Sequence, residues 1–200
     1  VSDLKQLSDK VLHYALELHD VITPPIINLI NNYIYTKRSE SFQKGTTGDG
    51  TVNLNDKIRS VEVLGFSEQN IGTSVSLRVL YNKLRFINNA IAKAYMEEVS
   101  PYYLPPREVT FQFLRYTDKM KGHYEFHTDN SYTNPRTTTT IIGLSDPNSY
   151  EGGELQIQNN EKLMKLNYGG GVIFPSNFMF PHKVHPVTKG ERKVLVIWNR

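Results

Sequence analysis

The sequence predicts an α+β fold that is mainly β: a β-sandwich or jelly-roll barrel backed by N-terminal supporting helices. Three observations predict it. Candidate strands at 109–116, 123–128, 137–143, 154–158, 171–175, 182–187 and 192–198 crowd into the last hundred residues. They are short, rich in Val, Ile, Thr, Tyr and Phe, and bounded by Gly, Pro, Asn and Asp. No helical pattern separates them, which argues against a parallel α/β sheet.

The first half reads differently. Residues 3–19 place Leu4, Leu7, Val11, Leu12, Ala15, Leu16 and Leu18 at helical spacing, which predicts a first helix. Thr23 caps a second helix, with Pro24 and Pro25 tolerated in its first turn. Its apolar face is Ile26, Ile27, Leu29, Ile30, Tyr33 and Ile34. Residues 36–56 carry Gly45, Gly48 and Gly50 among Ser, Thr and mixed charge. They read as a mobile surface loop, with a lid over an active site as the functional alternative. A strand at 59–64 alternates Val61 and Val63. A long helix at 72–97 carries Val75, Val79, Leu80, Leu84, Ile87, Ile91, Ala94 and Tyr95. Pro101, Pro105 and Pro106 then mark the break into β texture. The expectation is one domain over 1–200: helical support, a first strand and the loop in 1–100, and the jelly-roll core in 101–200.

Composition excludes several chemistries. Cysteine is absent, so disulfides, thiolate nucleophiles, Cys-type zinc sites and iron–sulfur clusters are all ruled out. A net charge of +3 is too small to indicate nucleic acid. No run of 18 apolar residues is present, so no membrane-spanning helix is expected. No secretory start is visible, but the chain begins at Val1 rather than Met, which leaves a removed signal open; localisation is unknown, with a soluble, cytoplasmic protein the favoured expectation. Any metal must be held by Asp, Glu or one of six His.

The segment Tyr124-Glu-Phe-His127-Thr-Asp129 offers such a site. On a strand, residues two apart point to the same face, so His127 and Asp129 present an imidazole and a carboxylate side by side. A third ligand from elsewhere completes a facial triad with open positions, the arrangement that suits non-haem Fe(II). H-x-D alone also describes a surface His beside a surface Asp. The second half of the pattern adds weight: His182 stands 53 residues after Asp129, and Arg192 follows ten positions later. Arg192 brings a permanent cation with bidentate geometry for a carboxylate. His185 competes with His182 for the third place, but the two face opposite sides of a regular strand. His123, four before His127, has the spacing of a helical zinc pair, but the intervening residues are strand-like. Gly152-Gly153 and the glycines at 169–171 do not match a phosphate loop and read as tight turns.

Over residues 109–199 the chain resembles the Fe(II)/2-oxoglutarate oxygenases, specifically their prolyl 4-hydroxylase-like branch. The resemblance is carried by Tyr116, Tyr124, His127-Thr-Asp129, Arg136 and Thr139. It continues through Glu151-Gly-Gly-Glu154-Leu, Gly171-Val-Ile-Phe174-Pro, the 182–192 segment and Trp198. It implies His127, Asp129 and His182 as iron ligands and catalytic centre, the offset from Pro186 and Gly190 favouring His182 over His185. It implies Arg192 as the partner of the distal carboxylate of 2-oxoglutarate, Tyr116 as a hydrogen-bonding contact and Thr188 as a second contact. Tyr124, Arg136 and Trp198 are the expected substrate contacts, although Arg136 could equally pair with an acid.

Fe(II), 2-oxoglutarate and O2 are the implied cofactor and co-substrates, with L-ascorbate as an auxiliary reductant. The implied reaction hydroxylates a C–H bond of a peptidyl proline and releases succinate and CO2. The implied partner is a proline-containing peptide or protein; no nucleic acid and no membrane are expected. Many prolyl 4-hydroxylases have Lys where Arg192 stands, which loosens the substrate assignment and leaves the co-substrate one intact. A hydroxylase of a free amino acid and a non-catalytic jelly-roll binding module are the alternatives.

Overall fold

Two antiparallel sheets face each other, and helices cover the outer face of the larger one. The computed structural model describes residues 12–47, 55–158 and 162–200. The larger sheet takes β1 (Leu16–Leu18), β2 (Gln43–Lys44), β4 (Glu62–Phe66), β5 (Val109–Thr117), β7 (Thr138–Gly143), β11 (Gly171–Pro175) and β14 (Glu191–Asn199). Its order is β1-β11-β7-β14-β5-β4-β2. The smaller sheet takes β3 (Arg59–Ser60), β6 (His123–His127), β9 (Leu155–Ile157), β10 (Leu163–Met164) and β12 (His182–Val184), in the order β10-β9-β12-β6-β3. A short pair joins β8 (Glu151–Gly152) to β13 (Val187–Lys189).

Strand parity decides which residues support the fold and which face the interior. On β14, Leu195 and Ile197 join the cluster under the helices, while Val194, Val196 and Trp198 join the cluster between the sheets. On β5, Phe111 and Phe113 face the helices, and Leu114 and Tyr116 face the other sheet. Burial on both faces explains why 194–199 is buried without interruption and reads as a continuous apolar run until Asn199. The smaller sheet contributes Leu155, Ile157 and Val184 to the interior cluster.

The helical layer consists of α1 (Pro24–Ile30), extended by a π-helical turn at Asn31–Thr36, and α2 (Val75–Glu98). Thr23 stands at the N-cap of α1, but its side chain accepts no hydrogen bond. Pro24 and Pro25 have no N–H to offer, and the next donor, Ile26 N–H, goes to the Thr23 carbonyl at 2.9 Å. Ser74 does cap α2, its hydroxyl accepting from the Leu77 N–H at 3.4 Å. The buried face of α2 is Leu80, Tyr81, Leu84, Asn88, Ile91, Ala92 and Tyr95. Val75 and Val79, expected on that face, are exposed. Among the described residues no helix is long and apolar enough to cross a membrane.

Four expectations are corrected. The helix at 3–19 is not continuous: residues 3–11 lie outside the described residues, and Leu16–Leu18 is β1, paired with 171–173 of β11. Leu16 and Leu18 flank the exposed Glu17 with the period of a strand. The strand at 59–64 is two strands in different sheets. Its first part pairs Arg59 with Tyr124, and its second pairs Glu62 with Arg115. The 182–187 strand ends at Val184, because Pro186 has no N–H for the ladder, and Val187 pairs instead with Gly152. The 36–56 loop contains a short helical turn at Ser39–Ser41 and β2, which pairs with β4; residues 48–54 lie outside the described residues.

Candidate active site

The end of β6 and the start of β12 are paired so that His127 stands directly opposite His182. Their rings lie 4.3 Å apart. Asp129, two residues beyond His127, turns to the same side. Its Oδ1 is 3.7 Å from His127 Nε2 and its Oδ2 is 3.5 Å from His182 Nε2. One donor atom from each of the three lies within 4.8 Å of the other two. Among the described residues this is the one such group of His, Asp and Glu side chains.

Hydrogen bonds set the state of each donor. His127 Nδ1 lies 2.8 Å from the Glu125 carbonyl, and His182 Nδ1 lies 3.2 Å from the Phe180 carbonyl. A carbonyl only accepts, so each Nδ1 carries a proton, and each Nε2 faces the centre. Burial, followed by the neighbouring His182, pushes His127 down to about 3. Burial alone would raise Asp129, but His182, His127 and the Thr139 hydroxyl outweigh it and hold the carboxyl at about 2. A neutral His127 imidazole beside an ionised Asp129 carboxylate is a pair of donor states that a divalent cation requires. Thr139 Oγ1 donates to Asp129 Oδ2 at 2.7 Å, and Ser176 Oγ lies 2.8 Å behind Thr139.

A cavity opens beside this centre. His127, Asp129 and His182 line it together with Tyr116, Tyr124, Arg192 and Trp198. Tyr116 and Arg192 are cross-strand partners on β5 and β14, with the guanidinium 5.1 Å from the ring centroid. Arg192 is 1% exposed, yet its Nε and Nη2 have no hydrogen-bond partner. A buried guanidinium is costly unless an anion satisfies it, so these atoms fit a carboxylate in the cavity. Burial raises the Tyr116 pKa, and the opposing pull of Arg192 is weaker, so the phenol keeps its proton as a donor. Gly153 makes room for the arginine: a Cβ there would stand 2.8 Å from Arg192 Cδ, and its φ of +69° suits glycine.

The remaining expected residues divide. Tyr124 stacks on His127, with ring centroids 3.5 Å apart. Arg136 lies 3.6 Å from the Trp198 ring centroid and donates to the Asp129 carbonyl at 3.1 Å. Both readings of Arg136 therefore meet in one place: it lines an outer groove beside Tyr124 and Trp198, and it sits 3.7 Å from Asp129 Oδ1. Thr188 is not brought to the cavity; it is exposed on β13. His185 points away from the centre and lies 2.9 Å from Gln156 Oε1. Sequence reasoning missed Ser176 and Arg59, and gave Thr139 no role. Thr139 had a signal, since β7 parity and its pairing with Trp198 turn it inward. Ser176 and Arg59 come from distant segments and had none.

The comparisons with known proteins follow the same outline. The sequence profile of the 2OG-Fe(II) oxygenase superfamily matches residues 111–200. Over these residues the chain is similar to that superfamily. A PKHD-type hydroxylase from Pseudomonas putida (strain W619) is 37% identical over 89 residues, which are 40% of this chain and 38% of that relative. A PKHD-type hydroxylase from Prochlorococcus marinus (strain MIT 9211) is 28% identical over 174 residues, 85% of this chain and 76% of the relative. In structure the chain is similar to a prolyl-4-hydroxylase of Pseudomonas putida, with a TM-score of 0.69, 17% identity and 98% of each chain covered. It is also similar to a Trichoplax adhaerens prolyl hydroxylase in complex with a hypoxia inducible factor oxygen degradation domain peptide fragment. There the TM-score is 0.72 and the identity 16%, with 99% of this chain and 90% of the other covered. These structures share the double-stranded β-helix that the strand pattern predicts.

Proposed function

We propose that the whole chain acts as one Fe(II)- and 2-oxoglutarate-dependent dioxygenase domain that hydroxylates a peptidyl proline. The observation that carries this reading is one cavity lined both by His127, Asp129 and His182 and by the unsatisfied Arg192 guanidinium. His127 and His182 would hold the iron through Nε2 and Asp129 through its carboxylate. With 2-oxoglutarate and O2, the iron supplies the oxidising chemistry that yields succinate and CO2 and adds one oxygen atom to a C–H bond.

The protein's own share is positioning. Arg192 takes the distal carboxylate of 2-oxoglutarate, and the Tyr116 hydroxyl donates a second hydrogen bond to the same molecule. Thr139, backed by Ser176, fixes the rotation of the Asp129 carboxylate. The groove lined by Tyr124, Arg136 and Trp198 opens over His127 and receives the peptide. Thr188 takes no part in this arrangement. The peptide assignment draws on the two hydroxylase structures of the same fold, one of which holds a peptide fragment.

The test is conversion of 2-oxoglutarate to succinate by the Fe(II)-loaded protein, with and without proline-containing peptides whose masses are then measured. Peptide-stimulated succinate with one added oxygen is expected. Slow turnover indifferent to peptide would remove the peptidyl-proline substrate. No turnover by folded, iron-loaded protein would leave a binding module.

A further inference from the structure

One charged side chain at the site has no part in the reading above. Arg59 lies on β3, directly across from Tyr124 on β6. Its guanidinium sits 4.6 Å from the Tyr124 ring centroid, and Tyr124 in turn stacks on His127. Arg59 lines both the inner cavity and the outer groove, so it stands at their junction. Its Nη1 donates to the Thr46 carbonyl at 2.7 Å. Its Nε is buried and has no partner, and among the described residues no carboxylate pairs with it. Gly45 keeps the space beside it clear, since a Cβ there would stand 2.7 Å from that Nε.

The groove around it is unbalanced in charge. Of the charged side chains lining it among the described residues, Arg59 and Arg136 are cations and Asp129 is the one acid. Asp129 is buried and already shared with two histidines and a threonine. A groove with more guanidinium groups than acids favours an anionic ligand over a cationic one.

We propose that Arg59 is a specificity-determining residue that takes a carboxylate of the primary substrate, so that the favoured peptide carries an acidic residue next to the reacting proline. This rests on the oxygenase reading. The same chemistry has a second source, the metal-side carboxylate of 2-oxoglutarate, and the experiment separates the two.

Three labelled peptides that differ only in Glu, Gln or Lys beside the proline are titrated, without oxygen, into protein loaded with Fe(II) and 2-oxoglutarate. Binding is read by fluorescence anisotropy. A charge-assisted hydrogen bond predicts that the Glu peptide binds about tenfold or more tighter than the Gln peptide, and the Lys peptide weakest. The Glu-to-Gln comparison uses unaltered protein, so it does not depend on a variant folding. Arg59→Gln brings the Glu-to-Gln ratio close to one, and Arg59→Lys retains part of it. Equal binding of the peptides, binding of none, or a preference that survives Arg59→Gln overturns the proposal. So does a rise in the KM for 2-oxoglutarate with the peptide preference intact, which gives Arg59 to the co-substrate. Glu-dependent binding without succinate in air would sink the hydroxylase reading and leave Arg59 its role. Succinate formed alike with all three peptides would do the reverse.

Discussion

Along β14, Leu195 and Ile197 turn toward the helices, while Arg192 and Trp198 turn into the space between the sheets. All four are nearly inaccessible to solvent. Their energetics are opposite. Each aliphatic side chain contributes about 1.5–3 kcal/mol by leaving water. Arg192 loses hydration and leaves two nitrogens unsatisfied, so it destabilises the fold until an anion arrives. One strand therefore carries both stabilisation and the cost of the site, sorted by residue parity. A slip of one residue in its register would exchange the two.

The largest expected effect on the functional face is at the centre. His127→Ala should reduce iron retained through gel filtration, and succinate formation, to background while the protein stays folded. Full iron retention would break the ligand assignment. Next comes Arg192→Gln. Removing one side of a buried charge interaction costs about 2–5 kcal/mol, which raises the KM for 2-oxoglutarate by about thirtyfold or more. An unchanged KM would mean that the co-substrate lies elsewhere.

On the opposite face the readout changes. Ile197→Ala should lose about 2–5 kcal/mol of stability by chemical denaturation, with the KM for 2-oxoglutarate little altered. A large KM change there would erase the division between the faces. The smallest effect sharpens the comparison: Thr139→Val leaves the ligands in place and removes the hydroxyl bound to Asp129. Metal affinity should weaken by about 10–100-fold, measured by competition with a chelator. Unaltered affinity would reduce Thr139 to packing.

The parts of this arrangement that were legible in sequence are those set by short-range geometry. His127 and Asp129 lie two apart, at and just past the end of β6, and turn to the same side. Leu195 and Ile197 alternate with Val194 and Val196 with the period of a strand. His182 joins them through the pairing of β12 with β6, which the strand texture allowed but did not specify. What escaped was set by tertiary context. Leu16 and Leu18 fit a helix or a strand, and the free edge of β11 decided for the strand. The 59–64 segment looks like one strand, yet its two ends are recruited by different sheets. Thr188 follows the motif in order, but the break at Pro186 leaves it on the surface. Arg59 reaches the site only because that same segment changes sheets, an event with no local signature.

The direct pairing of His127 with His182 has a further consequence. The gap between two imidazoles on neighbouring strands follows from the spacing of the β-ladder, which is nearly constant among proteins. The bite of the chelate is thus a property of the backbone lattice and not of any loop. Loops around the groove can lengthen, shorten or change composition without retuning the two nitrogen donors. In engineering terms the centre works as a fixed chuck with interchangeable jaws. Substrate range can drift by surface substitution while the metal geometry is inherited unchanged.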